Sequence, residues 1–224
     1  MKKEAFKNII GMKNKVIKVI PFGVDTSIFK PVLVEKKNIF TVGIAKSLKP
    51  IYGIDILIKA IYLLKEKYSI KDILLFIAGS GPEEIKLKKL VDDLGIKENV
   101  RFLGELDPID IPYFLNEIDL LCSPSHSESF GVVFLEALAC ETPVIGTNVG
   151  GIPEVIDHKK DGLMVKPNDY KELASAINYL ISDPKRRQEY GKKGRVKVIS
   201  KYSINAYDTY IRELYREGKH GELF

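Results

Sequence analysis

The feature that most constrains this chain is a succession of short, nearly unbroken apolar runs separated by amphipathic stretches. The runs are "KVIKVI" (15–20), "NIFTVGI" (38–44), "ILLFIAG" (73–79), "NVRFLG" (99–104), "IDLLCSP" (118–124), "TPVIGT" (142–147) and "GLMV" (162–165). A strand wetted on one side alternates apolar and polar residues, whereas a strand covered on both sides has no need to. Helical periodicity fills the intervals at 53–67, 83–94, 109–116, 131–140 and 152–157, and continues after the last run at 169–182, 184–199 and 203–217. Strand, helix, strand in regular order predicts an α/β fold, a doubly wound, Rossmann-like parallel sheet. The sheet domain is expected over 16–202, preceded by a linker remnant (1–15) and followed by a C-terminal helix and tail (203–224). Sheets of this kind take ligands beyond the carboxyl ends of their strands. Glycine-bearing turns fall there: Gly43, "GSGP" (79–82), Gly104 and Gly131.

Charge narrows the partner. The 224 residues carry 35 basic and 30 acidic side chains, a net +5. A balance this even suits a small anionic ligand or an anionic membrane surface and gives no footprint for nucleic acid. Cys122 and Cys140 stand alone inside apolar runs, read as core thiols of a reducing cytoplasm, and no zinc spacing exists. No run approaches the roughly 20 apolar residues of a membrane span, and "MKKEAFKNII" lacks a signal-peptide core. A cytoplasmic protein is expected. The basic run "DPKRRQEYGKKGRVKVISK" (183–201) reads as the solvated face of late helices; its sharper alternative is peripheral association with the inner membrane surface.

The candidate site lies in "SHSESFGVVFLEALAC" (125–140). Ser127 or Ser129 is placed to cap the helix that follows. The amides of Phe130, Gly131 and Val132 then point out of a helix start, where the macrodipole favours an anion such as a diphosphate. An ordinary capped helix explains that stretch equally well. Glu136 decides between them: its helical neighbours Val132, Val133, Ala139 and Cys140 are all apolar. A buried carboxylate costs several kcal/mol unless donors meet it, and a ligand with adjacent hydroxyls supplies two donors. Glu128, eight residues earlier, meets another part of the same ligand. Two carboxylates flanking an anion site suit a nucleotide sugar. Lys46 follows a strand and reaches the same crevice to meet phosphate, against the plainer reading of a solvated loop lysine. His126 divides in the same way between ligand contact and surface histidine. "IAGSGPEE" (77–84) half-resembles a dinucleotide loop, but Glu84 stands where a third glycine belongs, so a tight turn is the simpler reading.

These residues resemble a known family. "ESFGVVFLE" resembles the E-x7-E motif of the retaining glycosyltransferases of family 4, also called group 1. "VIPFGVDTSIFKP", "LLFIAGSGPEEIKLKKL", "VRFLGEL", "IDLLCSPSHSESFG", "ALACETPVIGTNVGGIPEVI" and "DGLMVKPND" are similar to the same family. The resemblance runs from about residue 16 and corresponds to the C-terminal, donor-binding half of a two-domain GT-B fold.

The resemblance implies that Glu128 contacts donor-sugar hydroxyls and stabilises developing positive charge. It implies that Ser129, Phe130, Gly131 and Val132 cradle sugar and diphosphate, with the amides of the last three as donors. Glu136 would bind the ribose, Lys46 the leaving diphosphate, and the segment from Leu103 to Leu106 the base. It implies a UDP- or GDP-linked sugar as substrate, no metal or other cofactor, and a role in glycan or polysaccharide assembly. The sequence departs from the family in three ways. Ile51 and Tyr52 precede Gly53 where a lysine is usual, leaving Lys49 as the substitute; Glu141 replaces a helix-ending glycine; and the N-terminal, acceptor-binding half is not among these residues. Without that half, supplied by a separately encoded chain, the domain is expected to bind nucleotide and transfer sugar negligibly. The last helix (203–217), with Ile204, Tyr207, Ile211 and Leu214 on one face, would then leave part of its stripe uncovered or buried against another copy. A stand-alone, non-catalytic nucleotide-binding module is the alternative function. A nicotinamide-dependent dehydrogenase is disfavoured by Glu84 and by the placement of the two glutamates.

Overall fold

The strand order is the one expected of a doubly wound sheet. In the computed structural model, which describes residues 20, 22–35 and 39–219, six strands pair in the order β3-β2-β1-β4-β5-β6. They are β1 (Phe40–Ala45), β2 (Ile73–Ala78), β3 (Val100–Gly104), β4 (Leu120–Ser123), β5 (Val144–Thr147) and β6 (Gly162–Val165), every pairing parallel. The run at 15–20 lies outside the described residues apart from Ile20. The helices are α1 (Ile54–Tyr68), α2 (Glu84–Asp93), α3 (Ile111–Glu117), α4 (Val132–Ala139), α5 (Ile152–Val155), α6 (Tyr170–Ile181), α7 (Pro184–Lys201) and α8 (Ile204–Lys219).

Each strand is apolar on both sides because both sides are covered. Along β4, Leu120 and Cys122 join the layer formed with Leu57, Ile61 and Leu64 of α1 and Leu173, Ile177 and Leu180 of α6. Leu121, between them, joins the opposite layer with Phe114 of α3, Phe134 and Leu138 of α4, Ile152 of α5 and Val198 of α7. A strand's two-residue period sends neighbouring side chains to opposite faces, so one short run feeds two cores. No helix among the described residues is long and apolar enough to cross a membrane.

The basic run forms α7, and it is only partly a solvated face. Three of its cations turn inward. Arg195 donates to the carbonyl oxygens of Ala139 and Phe29, and so satisfies an orphan carbonyl at the end of α4. Arg187 donates to the carbonyls of Leu180 and Ile181 and lies over the Phe40 ring. Lys197 pairs with the buried carboxylate of Asp161. The chain after α7 is tied back by a bridge between Val24 and Ser203. From there α8 runs with Ile204, Tyr207, Tyr210 and Tyr215 all exposed, while Ile211 and Leu214 are half-buried.

Candidate functional site

The strand order reverses between β1 and β4, and the segments leaving those two strands carry the charges the sequence singled out. Beyond β1 the chain passes Lys46, Leu48 and a single 3-10 turn (Pro50–Tyr52) before entering α1. Beyond β4 it passes Ser125, His126 and Glu128 before α4. The two exits are joined by the His126 amide, which donates to Ile51 O at 2.8 Å.

Lys46 and Glu128, 82 residues apart, form an ion pair with Nζ to Oε2 at 2.6 Å. Their side chains are 16% and 11% exposed, so Lys46 is no solvated loop lysine. Its ammonium also lies 5.0 Å from the centroid of the Tyr52 ring, a cation–π contact. Lys49 is exposed at the start of the 3-10 turn, and among the described residues no hydrogen bond or ion pair draws it toward the pair. The other Glu128 oxygen, Oε1, accepts the Ser129 amide at 3.1 Å. The Glu128 carbonyl accepts the Gly151 amide at 3.0 Å, which fixes the backbone of this turn against the loop after β5.

The helix start differs from the expected serine cap. Gly131 occupies the N-cap of α4 at φ 87°, and among the described residues no side chain caps the helix's first amides. Ser127 and Ser129 are exposed in the preceding turn. The reason is geometric: a left-handed N-cap turns the chain so that the serines precede the helix without folding back over it. That conformation is open to glycine at little cost, and a Cβ there would meet Phe134 Cδ2 at 2.7 Å. Among the described residues no acceptor meets the amides of Phe130, Gly131 and Val132. The Phe130 ring is drawn away from them, 5.8 Å from the Phe22 ring and 6.1 Å from that of Tyr202.

Glu136 sits one turn into α4, half-buried rather than enclosed, because it faces the crevice and not the sheet. Burial raises its pKa above the ordinary 4.5, and the nearby Lys46 ammonium opposes the rise without cancelling it. Among the described residues its carboxylate has neither a hydrogen bond nor an ion pair, so its acceptor capacity is unused. The C-terminal end of α4 meets Glu141 at φ 61°, a non-glycine residue in the left-handed conformation.

Leu106 lines a cavity of about 200 Å³ together with Lys46, Ser47, Gly79, Ser80 and Ile111, beyond the ends of β1 and β2. Leu103, by contrast, is exposed on β3. Gly79 owes its identity to a neighbour rather than to a phosphate: at φ 134°, a Cβ would stand 2.0 Å from Lys46 O. Tyr52 and Gly151 are site residues to which no positive role is assigned by the residue pattern alone. Tyr52 registered only as a departure from the family, and Gly151 only as part of a matching string.

Among the described residues, no group of three His, Cys, Asp or Glu side chains is placed to hold a metal ion. His126 has its Nδ1 buried without a hydrogen-bond partner among the described residues.

A 3-2-1-4-5-6 parallel sheet with a lysine, two carboxylates and free amides gathered at its switch point defines a doubly wound, Rossmann-like α/β protein. The chain belongs to the family of glycosyl transferases group 1, whose model matches residues 24–197. Among curated proteins it is 35% identical over 156 residues to N-acetyl-alpha-D-glucosaminyl L-malate synthase of Bacillus anthracis, spanning 68% of this chain and 40% of that one. Among solved structures it is similar to Anabaena HepE in complex with UDP (TM-score 0.81, 26% identity, 89% of this chain and 57% of that one). It is also similar to the C-terminal domain of a group 1 glycosyl transferase, LpcC, of Francisella tularensis (TM-score 0.74, 29% identity, 81% of this chain and all 100% of that one). The chain spans about half the length of the curated relatives it matches. Its fold is that of the C-terminal half of a GT-B glycosyltransferase.

Proposed function

We propose that this domain binds a nucleoside-diphosphate sugar and serves as the donor half of a retaining glycosyltransferase. The observation that carries this reading is the convergence, at one switch point, of the Lys46 ammonium, the unpaired amides of Phe130 to Val132 and two carboxylates on either side of them. The amides and Lys46 receive the diphosphate, whose charge grows as the bond to the sugar breaks. Preorganised donors aimed at developing charge are the largest single source of catalysis in such sites. Glu136, with its unused acceptor capacity, takes the two ribose hydroxyls. Glu128 takes hydroxyls of the sugar and stabilises positive charge at the anomeric carbon. The base lies in the cavity lined by Leu106. Attack from the face that the leaving group vacates gives retention. The solved complex of HepE with UDP supports a uridine nucleotide as the first ligand to try.

Transfer also needs an acceptor held against the anomeric carbon and water kept out, and both call for a second wall to the crevice. The greater length of the relatives supports a further domain in that role. Purified as these 224 residues, the protein is expected to bind nucleotide and to transfer sugar at a negligible rate. A thermal-shift panel of UDP, GDP and their sugar conjugates tests the first half of this. A ligand at 100 times its dissociation constant stabilises by about 2.7 kcal/mol. Absence of any shift up to millimolar nucleotide overturns the reading; rapid transfer to an acceptor by the chain alone overturns the need for a second wall.

A further inference from the structure

Glu128 and Lys46 are partners in the structure, yet in the proposed reaction they serve opposite ends of one bond. The ammonium belongs to the diphosphate and the carboxylate to the sugar. At 2.6 Å, with both side chains largely buried, the pair is a full charge-assisted hydrogen bond and not a passing surface contact. The carboxylate is held in place from two further directions. Its Oε1 accepts the Ser129 amide, and its backbone carbonyl accepts the Gly151 amide. Lys46 is the freer of the two, backed among the described residues by the face of the Tyr52 ring alone.

We propose that Glu128 is a specificity-determining residue that sets a preference for the intact sugar nucleotide over the free nucleoside diphosphate. A diphosphate arriving at the start of α4 must draw on Lys46, and it finds that cation already neutralised by a carboxylate 2.6 Å away. A free nucleoside diphosphate brings nothing for Glu128. It either shares the ammonium with a like-charged neighbour or leaves Glu128 facing phosphate without a donor, and both weaken binding. An intact donor brings sugar hydroxyls. They take over as hydrogen-bond donors to Glu128 while Lys46 turns to the phosphate, so no buried charge is left unpaired. Once the sugar has been transferred, the hydroxyls depart and Glu128 again competes for Lys46, which hastens release of the product nucleotide. This inference rests on the donor-site reading above.

Titration calorimetry with UDP and UDP-glucose, and with GDP and GDP-mannose, on the parent chain, Glu128→Gln and Glu128→Asp tests it. Glutamine keeps the shape and loses the charge; aspartate keeps the charge and draws it back by one methylene. Glu128→Gln is expected to bind the free diphosphate roughly tenfold to a hundredfold tighter, as expected for release of a charged hydrogen bond. Its affinity for the sugar nucleotide should stay level or fall, so the parent's preference collapses. Glu128→Asp should shift the same way by less. Unchanged or weaker diphosphate binding in both variants, with normal melting curves, overturns the inference while leaving the donor reading intact. Failure of both variants to fold also overturns it, by making Glu128 structural. A parent chain that binds none of the four ligands is a different result, and it overturns the donor reading itself.

Discussion

Among the described residues, two lysine–carboxylate pairs are withdrawn from water, and they are built to different standards. Lys197 of α7 pairs with Asp161, reaches Asp157 at 3.4 Å and donates to Val155 O, while Asp161 Oδ1 accepts the Asp157 amide at 2.8 Å. Nearly every donor and acceptor in that cluster is used. Lys46 has one carboxylate oxygen and one ring face, and half-buried Glu136 nearby has no hydrogen bond among the described residues. Buried polar groups are ordinarily satisfied. A saturated pair holds a fold together; one with spare donors and acceptors at a crevice mouth suits the binding role proposed for it.

The sharpest way to break this comparison is to remove the two cations in turn. Lys197→Met leaves Asp161 buried and charged, and should cost about 3–5 kcal/mol in urea unfolding with no change in nucleotide affinity. Burial already raises the Asp161 pKa above the ordinary 3.8, with Lys197 opposing. The charged form therefore costs stability above the folded-state pKa, and this cost disappears as pH falls below 3.8. The variant's deficit should accordingly narrow in acid. Lys46→Met should do the reverse: a smaller loss of stability than Lys197→Met, because Glu128 is the more accessible carboxylate and keeps the Ser129 amide, and most of the affinity for UDP. Equal stability losses in the two variants would erase the distinction drawn between them.

Gly131→Val tests the helix start. A branched side chain at φ 87°, with Phe134 in its path, should cost about 1–3 kcal/mol in backbone strain and put nucleotide binding beyond detection. If nucleosides bind the parent as tightly as their diphosphates, the amides of α4 hold no phosphate.

Glu136→Gln is the subtlest probe. It should weaken nucleotide binding by about 1.5–3 kcal/mol for each charge-assisted hydrogen bond lost, while the melting temperature stays level or rises because a partly desolvated charge is gone. Ligand hydroxyls favour the carboxylate over the acid. Because burial raises the Glu136 pKa above 4.5, nucleotide affinity should fall as pH drops through that raised value, with protons released on binding. Calorimetry in two buffers of different ionisation heat measures that release. An affinity flat from pH 7 to 4.5 removes Glu136 from the site.

The sheet was legible because periodicity is a local property: a run such as "IDLLCSP" must be covered on both sides, and the parallel fold follows. Glu136 was legible for the same reason, as a charge out of step with its own helix. What escaped depends on distance in the chain or on backbone dihedrals. Nothing local ties Lys46 to Glu128. The serines of "SHSES" satisfied the chemistry of a cap, but Gly131 adopted a left-handed conformation and placed the helix start beyond them. The inward turn of Arg187, Arg195 and Lys197 was equally hidden. A basic run looks solvated until the topology lays α7 across the end of α4 and the loop before β6, where carbonyls and Asp161 wait.

The two cysteines give the domain a chemical clock. Cys122 on β4 belongs to the layer beneath α1 and α6, and Cys140 closes α4 in the opposite layer. Burial pushes the Cys122 thiol far up and the Cys140 thiol to about 12. Only a thiolate reacts at a useful rate, so Cys122, fully buried, waits for its side of the sheet to part, while Cys140, beside a surface pocket lined by Val32 and Pro143, reports a smaller opening at the end of α4. Mass-resolved labelling over time thus times the two openings separately. A bound nucleotide, gripping the start of α4, should slow the Cys140 reaction before it touches that of Cys122.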